Sequence, residues 1–377
     1  MRVALNARIL QAPRTGIGQY VAALSEALQE QAGVDLDLFL GRSWGADLPS
    51  APMPGYARKA SLAKQVPGAY RIRRWLEQRS FDRGLKHRQV DLYHEPTLWP
   101  LEFDGPMVMT LHDLTHVHYP QTQPADRLLE IERHVGRAVE RAQAVLTDSE
   151  HVAGEVRRHF GLPEERVTVA PLGCAARFYP RAYQALERTL GELGLVAGRY
   201  LICVGTLEPR KNLELALRAH ALLPASLRKG LPLVIVGMPG WRAEQLDDTL
   251  KASLAEGDVK VLGYQSDAVL AELLAGARAL LFPSLYEGFG LPVLESMASG
   301  VPVVLTGTSS LPEVAGEAGV YVEAHDPQAM TIAILRLMED ESYWQRCRTL
   351  GLEQAKAFSW QRCARITSDV YRKVLGG

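Results

Sequence analysis

Short apolar, β-branched runs alternate with longer helical segments along this chain, and they do so in two successive series. The first places strands near residues 2–5, 34–40, 90–94, 107–111, 144–148 and 167–170. The second places them near 200–204, 232–236, 259–262, 279–283, 302–305 and 319–322. Strands joined through helices run parallel, and a parallel sheet needs helices on both faces. Each series spans about 175 residues, the size of one domain. The expected fold class is therefore α/β, with two doubly wound Rossmann-like domains. The linker is expected near 174–195, after Pro171-Leu172-Gly173, which sets domain bounds of 1–180 and 181–359. A last helix follows over 360–377, with Ser359 as its N-cap.

One strand-to-helix corner carries most of the chemical information. Ala279-Leu280-Leu281-Phe282 reads as a buried strand, and Pro283-Ser284-Leu285-Tyr286-Glu287-Gly288-Phe289-Gly290-Leu291-Pro292-Val293-Leu294-Glu295 follows it. Proline opens a helix there, and Gly300 and Pro302 close it. Such corners lie at the C-terminal edge of a parallel sheet, where open α/β sheets bind ligands. The first amides of a helix lack intrahelical partners, and glycines let backbone approach an anion closely. Ser284, Gly288, Phe289, Gly290 and Leu291 are thus candidates to hold a diphosphate. Glu287 is placed to accept hydrogen bonds from sugar hydroxyls, and Glu295, one turn into the helix, from a vicinal diol such as a ribose.

A second corner repeats the pattern. Tyr200-Leu201-Ile202-Cys203-Val204 is a strand, followed by Gly205-Thr206-Leu207-Glu208-Pro209-Arg210-Lys211-Asn212 and a helical run. A helix N-terminus is an unfavourable place for cations unless they serve an anion. Arg210 and Lys211 therefore read as phosphate ligands that neutralise charge on a departing diphosphate. In the first series Thr15-Gly16-Ile17-Gly18 leads into a helix but lacks the third glycine of a dinucleotide fingerprint. His112 follows the strand Val108-Met109-Thr110-Leu111, and Asp113 is positioned to orient it or to meet an acceptor. His94 ends the preceding strand and is a further acceptor candidate. Thr147-Asp148-Ser149-Glu150 reads as a helix cap.

The string over 283–295 resembles the signature of the family-4 retaining glycosyltransferases, which have the GT-B fold, and the resemblance runs over nearly the whole chain. It implies catalytic roles for His112, Glu287, Arg210 and Lys211. It implies nucleotide-sugar contacts from Gly16, Gly18, Thr206, Gly263 and Tyr264 as well as the 284–295 residues, with Thr206 standing where many members carry arginine. It also implies that the 360–377 helix returns to the first domain. Similarity is greatest to bacterial mannosyl- and deoxymannosyltransferases of surface-polysaccharide assembly. That implies GDP-mannose or GDP-rhamnose as donor, a lipid-linked glycan as acceptor and no metal or cofactor. A UDP- or dTDP-sugar donor and a nucleotide-sugar epimerase remain as alternatives.

Bulk properties narrow the rest. A net charge of −1 gives no global field for nucleic acid. Cys174, Cys203, Cys347 and Cys363 lack metal-ligand or disulfide-like spacing, and no signal-peptide pattern opens the chain, so a cytoplasmic protein is expected. Asp35-Leu36-Asp37 has the letters of a metal-binding carboxylate pair, but its aspartates take the polar alternation of a strand. Residues 58–88 hold Arg58, Lys59, Lys64, Arg71, Arg73, Arg74, Arg79, Arg83, Lys86 and Arg88 around Trp75, Leu76 and Phe81. This stretch fits either peripheral contact with an anionic membrane face or a solvated helix with a few apolar anchors.

Overall fold

The computed structural model describes residues 1–12, 16–49, 69–122, 125–238, 250, 254 and 257–376. Two compact units emerge. One comprises Met1–Gly173 with Ser359–Gly377, and the other comprises Cys174–Phe358.

The first unit is built on seven strands: β1 (Arg2–Asn6), β2 (Asp35–Phe39), β3 (Trp44–Gly45), β4 (Leu92–Glu95), β5 (Met107–Leu111), β6 (Ala144–Thr147) and β7 (Val167–Val169). Their order is β3-β2-β1-β4-β5-β6-β7. All neighbours are parallel except the short β2–β3 pair. Strands β4, β5 and β6 are buried at every residue, as expected when helices cover both faces. Their side chains form one core with Ile131, Val135 and Val139 of the Ala125–Arg141 helix and Val152 and Val156 of the Glu150–Phe160 helix. β3 has no counterpart in the sequence reading, because two residues are too few to show an alternation. It is held by ring contacts of Trp44 with Phe39 and Phe81.

Phe81 anchors the Ala69–Leu85 helix, since it is fully buried among Phe39, Trp44 and Tyr93. Truncating such a ring to alanine costs about 3–5 kcal/mol. Glu77 of the same helix is also buried and takes Arg8 at 2.9 Å, Arg73 at 2.7 Å and the Trp99 indole at 3.1 Å. Ile72, Trp75 and Leu76 are exposed, with the Arg79 guanidinium 3.9 Å over the Trp75 ring. Residues 58–68 of the basic stretch lie outside the described residues. The Asp35 and Asp37 carboxylates face Arg2, and Asp37 also meets Arg88 at 3.3 Å, so the strand reading holds for them.

The Trp360–Val374 helix belongs to this first unit. Ser359 caps it, its hydroxyl accepting from the Arg362 amide at 3.2 Å. The helix packs on Gly16–Gln29 through Trp360 and Tyr20. Its entry passes so close to Gly173 that a Cβ there would lie 2.1 Å from the Trp360 nitrogen.

The second unit holds six parallel strands: β8 (Leu201–Val204), β9 (Leu233–Val236), β10 (Val259–Gly263), β11 (Ala279–Phe282), β12 (Val303–Thr306) and β13 (Gly319–Val322). Their order is β10-β9-β8-β11-β12-β13. The strand order reverses between β8 and β11, which marks the ligand crevice of a doubly wound sheet. Chain tracing there is tight. A Cβ on Gly237, just past β9, would lie 1.8 Å from the Gly205 carbonyl oxygen, just past β8. Gly205 and Gly237 thus let two backbones meet where side chains would hold them apart.

Candidate functional site

In the second unit the loops after β8 and β11 converge at the switch point. After β8 a single turn, Pro209–Lys211, carries both cations, and Asn212 leaves it in the left-handed region at φ 49°. That turn is tied to the neighbouring loop by the Leu285 amide, which donates to the Arg210 carbonyl at 2.8 Å. After β11 the chain runs through Glu287 to Gly290, whose φ of 107° starts the Leu291–Ala298 helix. An alanine there would also push its Cβ to 2.8 Å from Leu311. Ser284, Glu287, Gly288 and Phe289 are all buried.

The charged groups form one network. Lys211 Nζ donates to Glu287 Oε1 at 2.6 Å, and Arg210 Nη1 donates to Glu287 Oε2 at 3.1 Å and to the Tyr286 carbonyl at 2.9 Å. Arg210 Nη2 lies 2.8 Å from Glu208 Oε1, which also accepts from the Thr206 hydroxyl at 3.2 Å. Serines brace the loop: the Glu287 amide donates to Ser309 Oγ at 2.9 Å, and Ser310 Oγ donates to the Glu287 and Phe289 carbonyls. Burial alone would raise the Glu287 carboxyl, but Lys211 and then Arg210 overcome it and hold the group down to about 2. Burial lowers Lys211, with Glu287 opposing.

This arrangement changes the division of labour expected from sequence. There, Glu287 faced sugar hydroxyls while Arg210 and Lys211 stood separately on phosphates. The structure couples all three, because cations in a largely covered corner need a counter-charge.

Glu295 is different. It lies one turn into the Leu291–Ala298 helix, partly buried, and its carboxylate makes no hydrogen bond among the described residues. Burial pushes it up to about 7, against the nearby Arg177. Gly263 ends β10 with φ 66°, and its carbonyl accepts from the Gly237 amide at 2.9 Å. Tyr264, next to it, is exposed.

In the first unit the C-terminal ends of β1, β4, β5 and β6 bring together Asn6, Glu95, His112 and Asp148. His112 Nδ1 lies 2.7 Å from Asp148 Oδ2, and Nε2 lies 3.1 Å from the Pro96 carbonyl oxygen. A carbonyl only accepts, so Nε2 carries a proton. Burial pulls His112 down, but the Asp148 carboxylate outweighs it, and the imidazole sits above its ordinary value. Asp113 does not orient His112. Its carboxylate accepts from the Thr115 amide at 2.9 Å. Asp148 takes the orienting role, and sequence reasoning missed it: the residue sits beside the true cap, Ser149, and was read as part of it.

His94 requires a correction. It is fully buried, with Nδ1 2.6 Å from the Tyr371 hydroxyl and Nε2 2.7 Å from Thr110 Oγ1. Burial, and then the charge of His112, press it down to about 3, so it is neutral. No nitrogen remains for an acceptor. Gly16 and Gly18 also differ from expectation, because they form the first turn of the Gly16–Gln29 helix rather than a loop. Residues 13–15, including Thr15, lie outside the described residues. Among the described residues no three His, Cys, Asp or Glu side chains gather as metal ligands, and no helix is long and apolar enough to cross a membrane.

A family model described as glycosyl transferases group 1 matches residues 195–354, and one described as glycosyltransferase family 4 matches residues 14–176. O-antigen chain mannosyltransferase B of Escherichia coli is 32% identical, over 99% of this chain and 100% of its own. Sucrose-phosphate synthase from Thermosynechococcus elongatus shares the fold with a TM-score of 0.77 at 22% identity, over 100% of this chain and 99% of that one. HepE of Anabaena, solved with UDP and glucose, gives 0.73 at 16% identity, over 99% and 100%. At these identities the two solved structures speak for the fold alone.

Two expectations follow from the protonation states. Glu295 has a folded value above its unfolded one, so its contribution to stability is intact below pH 4.5 and is lost as pH rises toward 7. Glu295→Gln should therefore match the parent near pH 4 and exceed it above pH 7 by up to about 3 kcal/mol in denaturant unfolding. A difference independent of pH would show that Glu295 ionises normally. His112 is shifted upward by Asp148, so its protonation favours the folded state below pH 6.5 and that stabilisation fades as pH rises through the folded value. Asp148→Asn should move the His112 midpoint below 6.5 in an NMR titration. An unmoved midpoint would remove Asp148 from that role.

Proposed function

Since the chain belongs to the family-4 glycosyltransferases of the GT-B fold and is a hexosyltransferase, we propose that it moves mannose, or the related deoxysugar rhamnose, from a GDP-sugar to a hydroxyl of a lipid-linked glycan, retaining anomeric configuration without a metal ion. The observation that carries this reading is the largely covered Arg210–Lys211–Glu287 network at the switch point, next to the opening of the Leu291–Ala298 helix. The mannosyl assignment leans on the name of the Escherichia coli relative.

In the proposed reaction Arg210, Lys211 and the Gly288–Leu291 backbone hold the diphosphate. Charge grows on it as the glycosidic bond breaks, so these groups act most strongly in the transition state. Glu287 keeps the two cations in place before substrate arrives, which lowers the reorganisation needed. Glu295 takes the ribose diol, and donating hydroxyls favour its ionised form. His112 gives up the Pro96 carbonyl and donates Nε2–H to a sugar hydroxyl. Retention follows a front-face route, with the departing phosphate accepting the acceptor's proton. Trapping a covalent glycosyl adduct on a carboxylate of this chain would replace that route with double displacement.

Lys211→Ala should lower kcat/KM by at least about 10²-fold, the scale of one lost transition-state donor, while circular dichroism stays unchanged. A near-parental rate would take Lys211 out of the site. In a thermal-shift panel of GDP, UDP, dTDP and ADP the largest rise should come with GDP. A larger rise with UDP, the nucleotide seen with HepE, would reassign the donor. Incubation with donor alone should yield no new nucleotide sugar, whereas an epimerase would make one.

The acceptor side is proposed to meet the membrane face through Ile72, Trp75 and Leu76, exposed beside Arg71, Arg74 and Arg79. Aromatic and aliphatic groups flanked by arginines suit an anionic interface. The protein should float with vesicles containing phosphatidylglycerol, and Trp75→Glu should abolish flotation. Equal flotation of both would place the contact elsewhere.

A further inference from the structure

At the other end of the second sheet lies an open pocket of about 650 Å³, lined by Arg181, Arg278, Ser299, Gly300, Trp344 and Arg348 among others. Arg278 immediately precedes β11, and Ser299 to Val301 lead into β12. The pocket therefore opens at strand N-termini, whereas the loops holding Lys211 and Glu287 leave strand C-termini. The four residues of β11 alone separate the two edges by about 13 Å.

Several polar atoms in this pocket are buried without a hydrogen-bond partner: Arg181 Nε and Nη1, Arg348 Nε and Ser299 Oγ. Ser299 is only 2% exposed. Arg181 spends Nη2 on the Arg177 carbonyl at 3.0 Å, and its closest carboxylate, Glu272, stands 4.0 Å from Nη1. The Arg348 guanidinium makes no hydrogen bond or ion pair among the described residues, and its carbon lies 5.7 Å from the Trp344 ring centroid. Arg278 is better satisfied, donating to the Leu337 carbonyl and to Glu341. Gly300 keeps the space beside Arg348 clear, since a Cβ there would lie 3.0 Å from Nε.

Buried donors on charged groups are normally paired, and several orphans converging on one pocket call for an absent acceptor. The end of the Leu291–Ala298 helix, which reaches Ser299, disfavours an anion. Three guanidiniums set against Glu272 and the exposed Glu341 outweigh it. Guanidinium forks match phosphate oxygens in geometry as well as charge. The volume exceeds what a bare anion needs, and Tyr183, also lining it and 43% exposed, adds apolar surface for a carbon skeleton.

We propose that this pocket is a second phosphate site, separate from the donor loops, that takes the phosphate of a small phosphorylated molecule or of a lipid headgroup. The test titrates inorganic phosphate into the full chain by calorimetry. Saturable binding should persist in Lys211→Ala and weaken at least about ten-fold in both Arg348→Gln and Ser299→Ala, with transfer kinetics of the latter two within two-fold of the parent. Ser299→Ala removes no charge, so it tests the site even if Arg348→Gln folds poorly. Binding that is lost in Lys211→Ala yet unchanged in Ser299→Ala, or no saturable binding at all, overturns the proposal. In the Trp75→Glu background, which removes the membrane contact proposed for the first unit, flotation with phosphatidic acid vesicles that is lost on adding Arg348→Gln identifies the lipid source. Phosphate binding without such flotation identifies a free ester.

Discussion

Two partly buried cations and a buried carboxylate decide what the second unit can be. Arg210 and Lys211 sit where strand, turn and helix meet, a place with little water to solvate them. Taking such charges out of water is costly unless geometry and partners are good. Glu287 supplies the partner, and the loop that carries it is fixed in turn by Ser309, Ser310 and the Arg210 carbonyl. Removing one member would leave its partners charged and unpaired. The loop after β11 is therefore more than a ligand-binding appendage. Its conformation is the condition under which the cations of the other loop can exist there. In the proposed reaction a diphosphate would meet groups already aimed and largely desolvated, which is the arrangement electrostatic catalysis requires.

The first unit answers a similar demand with hydrogen bonds instead of ion pairs. Glu95 is fully buried, and burial lifts it above its usual value. Asn6, Tyr93 and the Thr97 amide and hydroxyl all donate to it. Tyr371, His94, Thr110 and Tyr20 form a second chain of contacts, and the Tyr20 ring meets His112 edge-on with centroids 4.5 Å apart. The returning helix thus reaches His112 through polar contacts made by Tyr371. These networks occupy the sheet edge from which the chemistry is proposed to come.

The strand pattern was legible because buried parallel strands are short apolar runs that little else imitates. All twelve expected strands appear within one or two residues of their assigned bounds, and among the described residues only the two-residue β3 was unseen. Capping was legible for the same kind of reason: Ser149 and Ser359 cap through their own side chains, a purely local event. Long-range pairings left no such mark. Nothing in Asp148 announces that β5 and β6 lie side by side and deliver His112 to it. The sequence could place Lys211 and Glu287 on one sheet edge, but not show that they bind each other while they wait. His94 misled for the converse reason, since a histidine at a strand end looks available until a distant tyrosine, Tyr371, claims it.

The membership of Trp360–Val374 in the first unit has a consequence for biogenesis. Tyr371 and Trp360 complete contacts begun by His94 and Tyr20, so this unit stays unfinished until residues 360–374 have been made. The segment Cys174–Phe358, by contrast, has all its own residues before that helix leaves the ribosome. Nascent chains usually mature from the front, with the earliest domain folding first. Here the order inverts. The strands of the first unit precede Cys174–Phe358 in the chain, and the fifteen-residue helix that completes that unit follows it.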